Sequence, residues 1–144
     1  VLSEDALRRH GNIERAETEE RVRQFYDLWS HGDVDEIVAG MSADVKLLTR
    51  GQWSGVKPPF EGRFAVAAQL RRFGSTVENI LSVLHEIVID GDRAVVHRTA
   101  VGRRRDDGRR YQCDCIDFFR FRDGFIVEFS AYPDPAWFNG DQRA

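Results

Sequence analysis

The stretch Gly108–Asp134, GRRYQCDCIDFFRFRDGFIVEFSAYPD, decides how the rest of the chain is read. It breaks once, at Arg122-Asp123-Gly124, and on either side β-branched and aromatic residues alternate with polar ones. That pattern marks two strands joined by a tight hairpin turn. In the second strand Phe125, Val127, Phe129 and Ala131 share one parity and are apolar, while Glu128 and Ser130 take the other. The apolar set is therefore expected to face the core. In the first strand Cys113, Cys115, Asp117, Phe119 and Phe121 share a parity. Every member is apolar except Asp117. A carboxylate on a core-facing position is costly unless it is paired or protonated, so Asp117 needs either a structural partner or a use.

Upstream of this hairpin the alternation continues. ILSVLHEIVID (80–90) turns at Asp90-Gly91-Asp92 into RAVVHRTAVG (93–102), which turns through RRRDDGRR (103–110) into the Asp117 strand. Four strands joined by three turns make an antiparallel meander. The arginine-rich tip reads as a solvated hairpin end. On the neighbouring strand His97 and Arg98 are adjacent, so only one of them faces inward beside Asp117. Both registers are compatible with the apolar pattern. An inward Arg98 holds Asp117 ionised, and an inward His97 shares a proton with it. His85 falls on the parity of Val83, Ile87 and Ile89, where a satisfied core histidine is the expectation.

The first half has helical periodicity. ERAETEERVRQFYDLWSHGD (14–33) spaces Val22, Phe25, Tyr26 and Trp29 on one stripe before Gly32, with acidic residues early. Of that stripe, Phe25 is read as a pocket wall and the others as core. VDEIVAGM (34–41) forms a second, short helix, VKLLT (45–49) a short strand, and RFAVAAQLRRF (63–73) a third helix ending at Gly74. Between the last two lies a glycine- and proline-rich loop, Gly51 to Gly62, carrying Trp53, which reads equally as an ordinary packing aromatic and, should the loop cap a pocket, as a lid or a substrate platform. Helices gathered in one half and a meander in the other predict an α+β domain, with three N-terminal helices packed on a curved antiparallel sheet. Residues 14–138 are assigned to this single domain. Residues 1–13, with Ser3 as a cap and Gly11 as a stop, read as a tail or a short extra helix, and 139–144 as a C-terminal tail.

The 144 residues suit one core of ordinary size. A formal charge of −3 points away from general nucleic-acid binding. No apolar run reaches a membrane-spanning length, and the first residues lack a secretory pattern, so a cytoplasmic protein is expected. Cys113 and Cys115, side by side on one strand face, suit reduced thiols better than a mutual disulfide. With four scattered histidines they match no standard zinc spacing, and neither metal nor cofactor is expected.

Taken with FYDLWSHGDVDEIVAGMSADV (25–45) and FEGR (60–63), the hairpin resembles the nuclear-transport-factor-2-like superfamily. The branch it is similar to holds the polyketide cyclase SnoaL, ketosteroid isomerase and limonene epoxide hydrolase. The resemblance runs from about Glu17 to Phe138. It implies a cone of curved sheet closed by helices, an apolar internal pocket, and often a dimer through the outer sheet face.

By that resemblance Asp117 falls where the isomerase keeps its protonated oxyanion-stabilising aspartate and SnoaL a pocket histidine. The isomerase's oxyanion tyrosine falls on Phe25 and its base on Thr49. The catalytic aspartate of SnoaL falls on Ala131, and the arginine of the epoxide hydrolase on Arg98, with Ala100 and Ala131 in place of its two aspartates. Steroid isomerisation and limonene oxide hydrolysis are therefore expected to be poor.

The leading expectation is a cofactor-independent acid/base enzyme for a small, largely apolar oxygenated molecule of polyketide, terpenoid or steroid type. It would act by isomerisation, cyclisation, dehydration or epoxide opening. Asp117, supported by Arg98 or His97, is the candidate acid, in a pocket lined by Phe25, Thr49, Trp53, Cys115, Phe119, Phe129 and Ala131. The alternative is a non-catalytic binding or dimerisation module. Ile116, Phe118, Ile126 and Tyr132 on the outward parity predict a homodimer.

Overall fold

Helix α1 (Glu4–Ser30) begins where Ser3 accepts a hydrogen bond from the Ala6 amide at 3.1 Å. It runs without a break through Gly11, which the sequence reading took as a stop. A single interior glycine costs a helix only about 1 kcal/mol relative to alanine, less than the flanking turns return. The computed structural model describes residues 3–49 and 59–134. Trp53 and the rest of residues 50–58, together with the segment after 134, lie outside the described residues.

After α1 come α2 (Val34–Ala39), capped by Asp33, then β1 (Met41–Thr49), β2 (Phe60–Glu61), α3 (Arg63–Gly74), β3 (Val77–Asp90), β4 (Arg93–Arg104), β5 (Arg110–Arg122) and β6 (Phe125–Pro133). The six strands form one sheet in the order β2-β1-β6-β5-β4-β3. β3 to β6 are the antiparallel meander read from the sequence, and β1 joins β6 in parallel. This α+β architecture of curved sheet and helices is the one expected. Val22, Phe25 and Tyr26 of α1 press into the concave face against Val96, Phe119, Phe121 and Phe129. Arg63 fastens α3 to the start of β1 by donating from Nε and Nη2 to the Met41 carbonyl at 2.8 and 2.7 Å. No helix among the described residues is long and apolar enough to cross a membrane.

Three irregularities set which side chains reach the core. In β6, Arg120 pairs with Glu128 but Phe121 pairs with Ile126, so Val127 is an extra residue. Such a bulge reverses parity. Ile126 therefore enters the core at 5% exposure and Phe125 turns outward at 44%, the reverse of an unbroken alternation. In β3, Leu84 pairs with Arg98 and Glu86 with His97, leaving His85 as the extra residue. The bulge turns Ile87 and Ile89 to the core, while His85 stays on the outer face with Val83, so it is exposed and not a core histidine. Near the start of β3, Asn79 adopts φ 54°, and the facing Gly102 is required because a Cβ there would lie 2.9 Å from the Glu78 carbonyl oxygen.

The β6 bulge makes a measurable distinction. Ile126→Ala should cost ~2–4 kcal/mol in urea unfolding and Phe125→Ala under about 1 kcal/mol. Equal or inverted costs would show that β6 alternates without a bulge.

Candidate functional site

β4 and β5 run side by side with Val96 opposite Asp117 and Arg98 opposite Cys115. The even-numbered residues of β4 from Ala94 to Ala100 are buried, so Arg98 is the one that turns inward. Its Nε donates to Asp117 Oδ2 at 2.5 Å and its Nη1 to Ser82 Oγ at 3.2 Å. Tyr26, from the middle of α1, donates its hydroxyl to the same Oδ2 at 2.5 Å. The Arg98 guanidinium carbon also lies 5.3 Å from the centre of the Tyr26 ring, over its face. Asp117 is thus held by one cation and one phenol from two other elements, at 0% exposure.

The electrostatics follow from this burial. Desolvation, reinforced by the Asp117 carboxylate, pushes the Tyr26 phenol well above its ordinary value of 10.0, so it remains a hydrogen-bond donor. Burial by itself would lower the Arg98 guanidinium, but the attraction of Asp117, with Cys115 and Tyr26 adding to it, outweighs that and holds it up. Arg98 is a permanent cation. The Cys115 thiol is pushed up by its hydrogen bond to Cys113 and by burial, which leaves it a protonated small hydrophobe. Cys113 and Cys115 are both free thiols with sulfurs 3.8 Å apart.

Beside this triad lies a cavity of about 70 Å³, set in a recess of about 700 Å³ that includes its open mouth. Phe25, Trp29, Leu47, Leu70, Phe73 and Phe129 form most of its apolar wall. Arg98, Gln69, Tyr111 and Cys115 bring polar groups to it. Gln69 is fully buried; its Oε1 accepts from Arg72 Nη1 at 2.5 Å, while its Nε2 has no hydrogen-bond partner among the described residues. Among the described residues the lining contains no carboxylate and no imidazole.

The expected pocket residues distribute unevenly. Phe25, Cys115, Phe129, Ala131 and Arg98 line the cavity. Phe119 does not: it is completely buried behind the wall, its ring 5.2 Å from Phe25 and 4.9 Å from Phe129. Asp117 is likewise sealed under Arg98 and Tyr26 and is not part of the lining. Thr49 is placed by its backbone alone, opposite Ala131 on the β1–β6 ladder. His97 points to the opposite face of the sheet, because Arg98 takes the inward place. Trp29, read as core, is a wall of the cavity.

Three polar residues escaped the sequence reading: Tyr26, Gln69 and Tyr111. Gln69 carried the same signal that singled out Asp117. It is a polar residue on a buried helical face with Val66 and Leu70. Tyr111 extends the Asp117 parity by one step beyond Cys113.

A SnoaL-like domain model matches residues 22–129, and the chain belongs to that family. Solved structures with the same fold include a nuclear-transport-factor-2-like protein of unknown function from Burkholderia pseudomallei. It is 22% identical with a TM-score of 0.74, over 82% of this chain and 91% of the other. A putative SnoaL-like polyketide cyclase from Jannaschia is 17% identical with a TM-score of 0.72, over 83% and 86%. A putative polyketide cyclase from Streptomyces antibioticus is 17% identical with a TM-score of 0.72, over 85% and 95%. Among curated proteins none matches the sequence.

The Arg98–Asp117 pair has a clear energetic signature. Asp117→Asn leaves a buried guanidinium without its counter-charge and should destabilise the protein by ~3–5 kcal/mol, whereas replacing all three partners, Arg98→Met and Asp117→Leu with Tyr26→Phe so that no buried donor is orphaned, should return stability to within about 1 kcal/mol of the parent. Chemical denaturation of the three proteins checks this. A fully stable Asp117→Asn protein would show that the carboxylate is not the counter-ion of Arg98.

Proposed function

We propose that the protein binds a small, largely apolar molecule in this cavity with the molecule's one oxygen directed at Arg98. The observation that carries the reading is the placement of a permanent, buried cation at the edge of an apolar cavity, oriented from behind by Asp117. Among the described residues two of the five N–H donors of Arg98 are engaged, by Asp117 and Ser82. The remaining donors, with Gln69 Nε2 nearby on the same lining, suit a carbonyl, phenol or enolate oxygen. Preorganised donors of this kind stabilise negative charge that develops on oxygen, the common element of isomerisation and cyclisation. In this reading Arg98 is the polarising group. Asp117 is a positioning residue and not the general acid that the sequence suggested, because its carboxylate is sealed away from the ligand. The SnoaL-like cyclases among the structural relatives act on polyketides by their names, which is consistent with such a ligand.

A second reading, a binding module without catalysis, is favoured by one specific observation. The described lining offers no carboxylate or imidazole to move a proton.

A naphthol, titrated against the quenching of tryptophan fluorescence, tests the binding reading. The parent should bind it, and the Arg98→Met, Asp117→Leu double variant should bind at least ~tenfold more weakly, the scale of one charge-assisted hydrogen bond. Equal affinity, or no binding by the parent at millimolar naphthol, would overturn the proposal.

We also propose that the outer sheet face pairs with a second copy of the chain. Leu81, Val83, Val95, Ile116 and Tyr132 are exposed there on β3 to β6, more apolar surface than one monomer usually leaves in a single patch. Ile126, expected in that patch, is instead in the core because of the β6 bulge. Sedimentation at tens of micromolar, an estimate suited to an interface of ordinary size, should show a dimer, and Ile116→Asp should shift it to monomer. A monomeric parent would contradict the pairing.

A further inference from the structure

The same alternation that turns Arg98 inward turns His97 and Thr99 out on the opposite face of β4. On β3 His85, at the bulge, puts a second imidazole on that face, with the two rings 4.8 Å apart between centroids. Asp114 follows from β5, where it pairs directly with Thr99. One ligand atom from each of His85, His97 and Asp114 lies within 4.8 Å of the other two. The Thr99 hydroxyl sits among them, 2.7 Å from His85 Nε2 and donating to Asp114 Oδ1 at 2.6 Å. Two imidazoles and a carboxylate, carried by three adjacent hydrogen-bonded strands, thus converge on one point of the outer surface.

We propose that His85, His97 and Asp114 form a binding site for a divalent first-row metal ion of the zinc type. Nitrogen and carboxylate donors are the ligands such ions take, and two histidines with one acidic oxygen is an established donor set for zinc with a position left open. A tetrahedral ion with bonds of about 2.0–2.1 Å holds its ligands roughly 3.4 Å apart. The atoms begin within 4.8 Å, and the side chains that must close the difference are exposed or half-buried, so small rotations suffice. Their backbones stay fixed by the β3–β4 and β4–β5 ladders. Thr99 steadies Asp114 by its hydrogen bond, an outer partner for a ligating carboxylate. Bulges are a recurrent feature of binding sites, and here one falls at His85, which lies on the outer face with Val83 and Thr99.

No sequence spacing reveals the set, since its members are separated by 12 and 17 residues and come from three strands. The site is distinct from the Arg98 cavity, on the other side of the same strand. It concerns the ligands of one chain, and in a dimer formed through this face the ion would lie between the copies.

Zinc chloride titrated calorimetrically into the untagged, metal-stripped protein is the test. The expected result is one ion per chain with micromolar affinity, weakened at least ~tenfold by His85→Ala, by His97→Ala and by Asp114→Asn, and unchanged by His10→Ala on α1. These positions are at the surface, so circular dichroism should show each variant folded. Cobalt(II) in place of zinc should give visible bands of nitrogen and oxygen ligation without a sulfur charge-transfer band. Absence of zinc binding below about 100 µM, retention of affinity in the two histidine variants, or a sulfur band assigning the ion to Cys113 and Cys115 would each overturn the proposal.

Discussion

A carboxylate cannot be left alone in the middle of an aromatic core, and Asp117 is placed there by the alternation of β5. The cost of stripping water from it is offset by Arg98 and by the hydroxyl of Tyr26, both on Oδ2, while Oδ1 has no hydrogen-bond partner among the described residues. Because these partners come from β4 and α1, the requirement ties the long helix to the centre of the sheet at a fixed depth. It also orients the guanidinium. A buried arginine has many rotamers, and pairing through Nε selects one in which Arg98 lines the cavity together with Gln69 and Tyr111. The stability of the core and the polarity of the pocket are therefore two outcomes of one interaction.

The same constraint divides the chemistry of β4 between its faces. With Arg98 drawn inward to Asp117, His97 has no place in the cavity and joins His85 and Asp114 outside. Arg98 faces the apolar recess, and two imidazoles with the Asp114 carboxylate face out. An inward His97 would have exchanged these roles. One fold hosts many chemistries, so the family alone does not dictate this one.

Much of the architecture was legible because it follows from periodicity. The stripe of Val22, Phe25, Tyr26 and Trp29, the meander, and the isolation of Asp117 among apolar neighbours all emerged from counting positions. What could not be read were the places where counting fails. One extra residue at Val127 exchanged Phe125 for Ile126, and another at His85 put Ile87 and Ile89 on the face opposite Val83 and His85, since no local composition marks a bulge. The parity of β4 was ambiguous because small and β-branched residues occupy both of its faces; only tertiary pairing decides it. Tyr26 was taken for packing because a tyrosine on a helical stripe is both an apolar ring and a donor, and the donor role depends on a partner 91 residues away. The parallel pairing of β1 with β6 is likewise a long-range fact, settled by the closing of the sheet and by no motif within β1.

In the proposed function Arg98 meets the ligand while Asp117 stands behind it. A crystal structure of the protein with a small phenol or ketone bound in the cavity addresses this most directly. The expected result has the ligand oxygen within hydrogen-bonding distance of the Arg98 guanidinium, with the Arg98 Nε to Asp117 contact and the Tyr26 to Asp117 contact both retained. A ligand oxygen bonded to the Asp117 carboxyl group, with Arg98 displaced from it, would contradict the claim and restore Asp117 as the group that acts on the substrate.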